Sequence, residues 1–145
     1  MKISTKGRYA LRMMIDLAEH GSEECVSLSE IAKRQDVSKK YLEQIIPTLT
    51  RAGLLRTSRG AQGGYALAVS PEKCTIGQIL RLTEGSLAPV DCASEDAPAC
   101  PRAAYCPTLP IYRGLNKVIN EYLDGITLAD ALESSREVGA DNYVI

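Results

Sequence analysis

Ser27-Leu28-Ser29-Glu30-Ile31-Ala32-Lys33-Arg34-Gln35-Asp36-Val37-Ser38-Lys39-Lys40-Tyr41-Leu42-Glu43-Gln44-Ile45-Ile46 is the stretch whose reading decides the fold. Ser27 with Glu30 three residues on forms a capping box, in which each side chain satisfies a backbone N–H that a helix start leaves free. Leu28, Ile31 and Ala32 then give that helix one apolar face to about Gln35. After a turn at Asp36-Val37, Ser38 is the N-cap of a second helix that buries Leu42, Ile45, Ile46 and Leu49, and Gly53 is placed to end it. Two short helices joined by so tight a turn predict a helix-turn-helix.

Outward on the C-terminal side, Leu54-Leu55-Arg56-Thr57 and Tyr65-Ala66-Leu67-Ala68-Val69 flank a glycine-rich reversal and predict a two-stranded wing. On the N-terminal side, Ser4 or Thr5 caps a helix carrying Ala10, Met13, Met14 and Leu17 on one face and ending near His20-Gly21. Thr75-Ile76-Gly77-Gln78 opens another capped helix, through Ile79, Leu80 and Leu82, that closes the core near Glu84-Gly85. From Ser86 to Pro107 periodicity vanishes, a long loop for a compact domain. Thr108 then caps a helix, with Pro110 tolerated in the first turn and Gly125 as its stop. Its Leu109, Tyr112, Leu115, Ile119, Tyr122 and Leu123 make the seam of a helix pairing with its symmetry mate. Thr127-Leu128-Ala129-Asp130 starts one more short helix.

The predicted fold is therefore mainly α: a winged helix-turn-helix domain with a two-stranded β wing, plus a long C-terminal dimerisation helix. The expected divisions are a DNA-binding domain over 1–85, a cysteine-containing loop over 86–107, the dimerisation helix and its short successor over 108–136, and a tail over 137–145. A chain of 145 residues with 45% hydrophobic residues suffices for one packed core. No run of about 18 apolar residues and no signal-peptide pattern occurs, which predicts a cytoplasmic protein without membrane contact.

The formal net charge of -1 hides a segregation. Residues 1–67 carry 11 Lys or Arg against 7 Asp or Glu, and the remainder carries 6 against 11. A basic front half on an acidic back half suits a DNA reader with a regulatory half. On the third helix the face opposite the core stripe presents Lys40, Gln44 and Arg51, with Glu43 at its margin. Gln can bond an adenine edge, Glu can accept from cytosine N4, and Lys can reach guanine or phosphate. Ser38 and Lys39 sit at the helix N-terminus, where free N–H groups favour a phosphate. In the wing, Arg59 is a minor-groove candidate, and the glycines around Gly60 and Ala61 allow close backbone approach to a phosphate ridge. Pro47 forfeits the bond to the Glu43 carbonyl and predicts a bend. One histidine, with no phosphate loop and no nucleophile-base-acid set, argues against an enzyme.

Five cysteines in a reducing compartment point to metal ligation or thiol chemistry rather than disulfides, with Cys25 and Cys74 isolated and structural. The other three lie in the loop. Thiolates suit an iron-sulfur cluster, a zinc knot or a redox thiol switch.

Lys2-Ile3-Ser4-Thr5-Lys6-Gly7-Arg8-Tyr9-Ala10, Tyr41-Leu42-Glu43-Gln44 and Arg59-Gly60-Ala61-Gln62-Gly63-Gly64-Tyr65 resemble the bacterial family of the iron-sulfur cluster regulator IscR, the cysteine metabolism repressor CymR and the nitric-oxide-sensitive repressor NsrR. The resemblance spans nearly the whole chain, looks nearest to the CymR branch in its first ten residues and wing, and carries the three-cysteine loop of the IscR branch. It implies a homodimer with crossed long helices, DNA positions at Tyr41, Glu43, Gln44 and Arg59, and the Ser4–Tyr9 segment near phosphates of double-stranded operator DNA. It further implies an iron-sulfur cluster on Cys92, Cys100 and Cys106, with 2Fe-2S preferred to 4Fe-4S. The fourth ligand is open. The IscR histidine position is Leu109 here, and the NsrR acidic position is Arg8; Asp91, Glu95, Asp96, a partner residue or an exchangeable small molecule are the candidates. The implied function is a transcription regulator, acting as a repressor of iron-sulfur assembly or cysteine and sulfur metabolism genes. The alternative is a cluster-free regulator controlled by a thiol switch or by a partner enzyme of cysteine synthesis.

Overall fold

A computed structural model describes residues 1–21 and 23–141. Its elements in order are α1 (Thr5–His20), α2 (Leu28–Gln35), α3 (Lys39–Arg51), β1 (Leu55–Ser58), β2 (Gly64–Leu67), α4 (Ile76–Glu84), α5 (Leu109–Asp124) and α6 (Leu128–Asp141), with short 3-10 turns at Pro71–Lys73 and Asp91–Ala93. This is the mainly helical winged helix-turn-helix with a two-stranded wing that the residue pattern predicts.

The capping chemistry explains most helix starts. Ser4 Oγ accepts from the Gly7 N–H, and the Ser27–Glu30 capping box is complete in both directions. Thr75 accepts from the Gln78 N–H, so the cap expected at Thr75-Ile76-Gly77-Gln78 forms in one direction. At α3 and α5 the caps sit where expected, but the Ser38 and Thr108 side chains make no capping bond. Helix α3 ends in a Schellman motif: Gly53 takes φ 75°, with Gly53 N–H to the Thr50 carbonyl and Leu54 N–H to the Leu49 carbonyl, both at 3.0 Å. Pro47 does not break α3, which is continuous through it. Pro47 faces solvent, so water can serve the Glu43 carbonyl it leaves without a helical donor.

Ala10, Met13, Met14 and Leu17 of α1 are fully buried and meet Ile31, Leu42, Ile45, Leu49, Ile79 and Leu80 in one core. Strand β1 pairs antiparallel with β2, Leu55 opposite Leu67 and Ser58 opposite Gly64. Val26 adds a rung beyond the two expected strands, exchanging N–H···O bonds of 2.8 Å with Tyr65 in both directions. Gly64 makes this possible, because a Cβ there would land on the Val26 carbonyl.

Two expectations about the C-terminal part are corrected. Helix α6 is not short and does not end at 136; it continues to Asp141, into the segment read as a tail, while 142–145 lie outside the described residues. A reciprocal Thr127–Asp130 cap starts it, with Asp130 accepting from Thr127 N–H at 2.9 Å. The α5 seam also divides. Leu109 is buried, and Ile119 and Leu123 pack on the chain's own core, whereas Ile111, Leu115, Val118 and Tyr122 stand exposed at 4-3-4 spacing. The period in the sequence is real, but it belongs to two adjacent stripes with different partners. No helix among the described residues is long and apolar enough to cross a membrane.

Candidate nucleic-acid interface and cysteine loop

Helix α3 is amphipathic, and burying Leu42, Ile45, Ile46 and Leu49 turns Lys39, Lys40, Glu43 and Gln44 to solvent, with Ser38 exposed just before them. Tyr41 differs from these neighbours. Its half-buried ring packs edge-on to Tyr9 of α1, centroids 5.2 Å apart at 77°, an arrangement aromatic quadrupoles favour. Arg51 folds back on its own helix, its Nε donating to the Pro47 carbonyl at 3.2 Å. In the wing, Arg59, Gly60 and Ala61 are all exposed on the five-residue reversal between β1 and β2, where Gly60 takes φ 108° and its carbonyl accepts from the Gly63 N–H.

A buried ion pair ties α1 to the end of α2, the helix that leads into α3. Asp16 is 1% exposed and accepts from Arg34 Nη2 at 2.7 Å, Arg34 Nε at 3.0 Å and Gln35 Nε2 at 2.9 Å. Burial raises the Asp16 carboxyl, but the Arg34 and Gln35 hydrogen bonds and the Arg34 charge outweigh it and hold the group below its ordinary range. Arg12 continues the network, with its Nε 3.2 Å from Gln35 Oε1, a second bond to the Gln35 carbonyl, and its guanidinium 5.5 Å over the Tyr9 ring. His20 closes back onto the Asp16 carbonyl at 3.1 Å. Sequence reasoning missed this network. The available signal was an acidic residue set into the Met13–Leu17 face of α1, with Arg34 following on the next helix.

The cysteine loop is pinned at a few points and open elsewhere. Leu87 and Ala93 are buried, and Asn116 of α5 donates to the Ala93 carbonyl at 3.1 Å. Cys92 and Cys100 are exposed and open onto one cavity of about 760 Å³ between the loop and α5, which Glu95 also lines. Asp91 and Asp96, exposed like Glu95, are not among its lining residues. Cys106 lies at the start of α5, 3.4 Å from the Thr108 hydroxyl. That hydroxyl, then the Thr108 and Leu109 N–H groups, hold the Cys106 thiol below its ordinary value. No group of three potential ligands is gathered among the described residues. The donor chemistry, three reachable thiols with one predisposed to the thiolate, fits an iron-sulfur group, and the loop would have to close to bring them together. Cys74 is buried, which pushes its thiol up, and Cys25 is half-buried; neither opens onto this cavity.

A model of the Rrf2 family, described as an iron-dependent transcriptional regulator, matches residues 3–134. The chain belongs to the Rrf2 family. Protein rrf2 of Nitratidesulfovibrio vulgaris is 42% identical over 135 residues, 93% of this chain and 89% of that protein. Among solved structures, IscR of T. potens superposes with a TM-score of 0.77 at 43% identity, covering 95% of this chain and 90% of its own. CymR, the global cysteine regulator of B. subtilis, does so with a TM-score of 0.71 at 40% identity, covering 92% and 98%. The Rrf2 chain is thus a winged-helix, DNA-binding transcription regulator and not an enzyme.

Proposed function

We propose that this Rrf2 protein is a dimeric repressor that reads an operator with α3 and the wing and controls iron-sulfur assembly or cysteine and sulfur metabolism genes. The observation that carries this reading is the exposed polar face of α3, Ser38 to Gln44, on a helix whose first turn is seated against α1 by Tyr41 on Tyr9. Gln44 and Glu43 take base edges, Lys39, Lys40 and Ser38 take phosphates, Tyr41 sets the helix angle, and Arg59 with Gly60 and Ala61 follows the minor groove. In the Ser4–Tyr9 segment Arg8 is exposed to a phosphate, and Lys2, exposed just before it, adds a second cation. The exposed Ile111, Leu115, Val118 and Tyr122 stripe of α5 pairs with a second copy, giving a two-fold protein for a two-fold operator.

In this reading Cys92, Cys100 and Cys106 hold a 2Fe-2S cluster, with Glu95 the loop carboxylate best placed to join Cys92 and Cys100 at the shared cavity. When bound, the cluster supplies a redox- and iron-sensitive cross-link of the loop. A second reading is favoured by the depressed Cys106 thiol and the likeness to CymR: a cluster-free regulator working through a thiol switch or a partner enzyme of cysteine synthesis.

The test is fluorescence anisotropy on the duplex upstream of the protein's own gene. Gln44→Ala and Arg59→Ala each weaken binding about tenfold; unchanged affinity in both overturns the interface. Iron and sulfide assay with absorption spectra of anaerobically purified protein decides between the two regulatory readings. Cluster-free protein whose DNA binding responds to thiol oxidants or to the partner enzyme selects the second.

A further inference from the structure

The N-terminus of α1 is held by a residue outside every element assigned to DNA. Ser4 N–H and Ser4 Oγ–H both donate to Glu84 Oε1, at 3.1 and 2.6 Å, while Ser4 Oγ accepts from the Gly7 N–H at 3.2 Å. Glu84 is the last residue of α4, eighty positions away in sequence. Gly7 is buried beneath the contact, and a Cβ there would collide with the Glu84 carboxylate. The sequence therefore clears a space for this carboxylate over the first turn of α1.

Electrostatics sharpens the point. Among the described residues Glu84 makes no ion pair. A half-buried carboxylate beside a surface that meets phosphates repels the ligand through space, so its contribution to binding has to come through geometry. The geometry is direct: the Gly7–Ser4–Glu84 relay completes the cap of α1 and anchors the segment that carries Lys2, Lys6 and Arg8. One turn further on, Tyr9 touches Tyr41 of α3. Gly85, at φ 79°, joins Glu84 straight to the cysteine loop, so the clasp also ties the start of that loop to the start of α1 through one hydrogen-bonded contact.

We propose that Glu84 is a positioning residue for DNA binding, clasping Ser4 so that the first turn of α1 and its cations meet the phosphate backbone. The inference rests on the DNA-contact reading of Ser4 to Tyr9 given above. The test measures affinity for operator and scrambled duplexes across a salt series for the parent, Glu84→Ala, Glu84→Gln and Ser4→Ala, with melting curves to establish folding. Glu84→Ala weakens both duplexes about fivefold and lowers the salt slope by about 1, the signature of a lost backbone contact rather than a lost base contact. Glu84→Gln keeps the acceptor, drops the repelling charge, and binds as tightly as the parent or tighter. Glu84→Ala costs less in the Ser4→Ala background than in the parent, because only the bond from the residue-4 N–H is then left to lose. Glu84→Ala binding within twofold of the parent with an unchanged slope overturns the proposal, and so does a Glu84→Gln variant as weak as Glu84→Ala. A parent that binds no duplex would instead refute the DNA-contact reading itself.

Discussion

Replacing Asp16 tests the claim that a buried ion pair locks α1 to α2 beneath the helix-turn-helix. Asp16→Ala deletes three hydrogen bonds from a carboxylate that is 1% exposed, two of them from the Arg34 guanidinium. Bonds to charged groups contribute about 1.5–3 kcal/mol each, and breaking a buried pair from one side costs about 3–5 kcal/mol. Arg34 is 32% exposed and can partly rehydrate once abandoned, which selects the low end, about 3 kcal/mol. With a urea slope of about 2 kcal/mol/M, the midpoint falls by about 1.5 M. Asp16→Asn keeps the shape and one acceptor but not the charge, and loses about half as much. The pH dependence has a definite sign. The folded carboxyl lies below its ordinary value, so its stabilisation is fully present above about pH 4 and is lost as pH falls through the folded value. Urea titrations followed by far-ultraviolet circular dichroism, at one protein concentration and several pH values, give both numbers. A midpoint for Asp16→Ala within about 0.3 M of the parent would refute the energetic argument. An acid limb for Asp16→Asn as steep as the parent's would refute the electrostatic one.

Two further substitutions probe the wing and the exposed stripe. Gly64→Ala forces β2 off the Val26 carbonyl and lowers stability by about 2–4 kcal/mol, whereas Gly53→Ala, with nothing near its Cβ but φ 75°, loses about 1 kcal/mol; equal melting shifts would show that the Val26 rung does not matter. Leu115→Glu, in the middle of the exposed α5 stripe, converts a dimer to a monomer in sedimentation velocity without lowering helix content, and a variant that sediments as the parent dimer would remove α5 from the interface.

Local rules made much of this protein legible. Ser27 with Glu30, Gly53 after α3, and the apolar spacing of α1 to α4 depend on neighbours within four residues, and the structure places them as the sequence implies. What needed coordinates was long-range. Asp16 meets Arg34 only after α1 and α2 pack, and Val26 finds Tyr65 only once the wing folds back. In α5 a single hydrophobic period concealed two stripes, because periodicity registers apolarity and cannot say whether the partner is Leu80 of the same chain or another molecule. The exposed face of α3 was legible for the same local reason as its helix, since fixing the buried stripe leaves Lys40, Glu43 and Gln44 nowhere else to point. For the cysteines, the resemblance singled out Cys92, Cys100 and Cys106 as candidate ligands, but their spacing does not determine how a loop of prolines and alanines closes.

Because Val26 grips Tyr65 from one side while β1 grips it from the other, the wing is a stiff root bearing a five-residue tip, Arg59 to Gly63, that no ladder bond constrains. Root and tip are separable modules. If the tip reads the minor groove as proposed, exchanging it between relatives transplants that preference while leaving the melting temperature where it was.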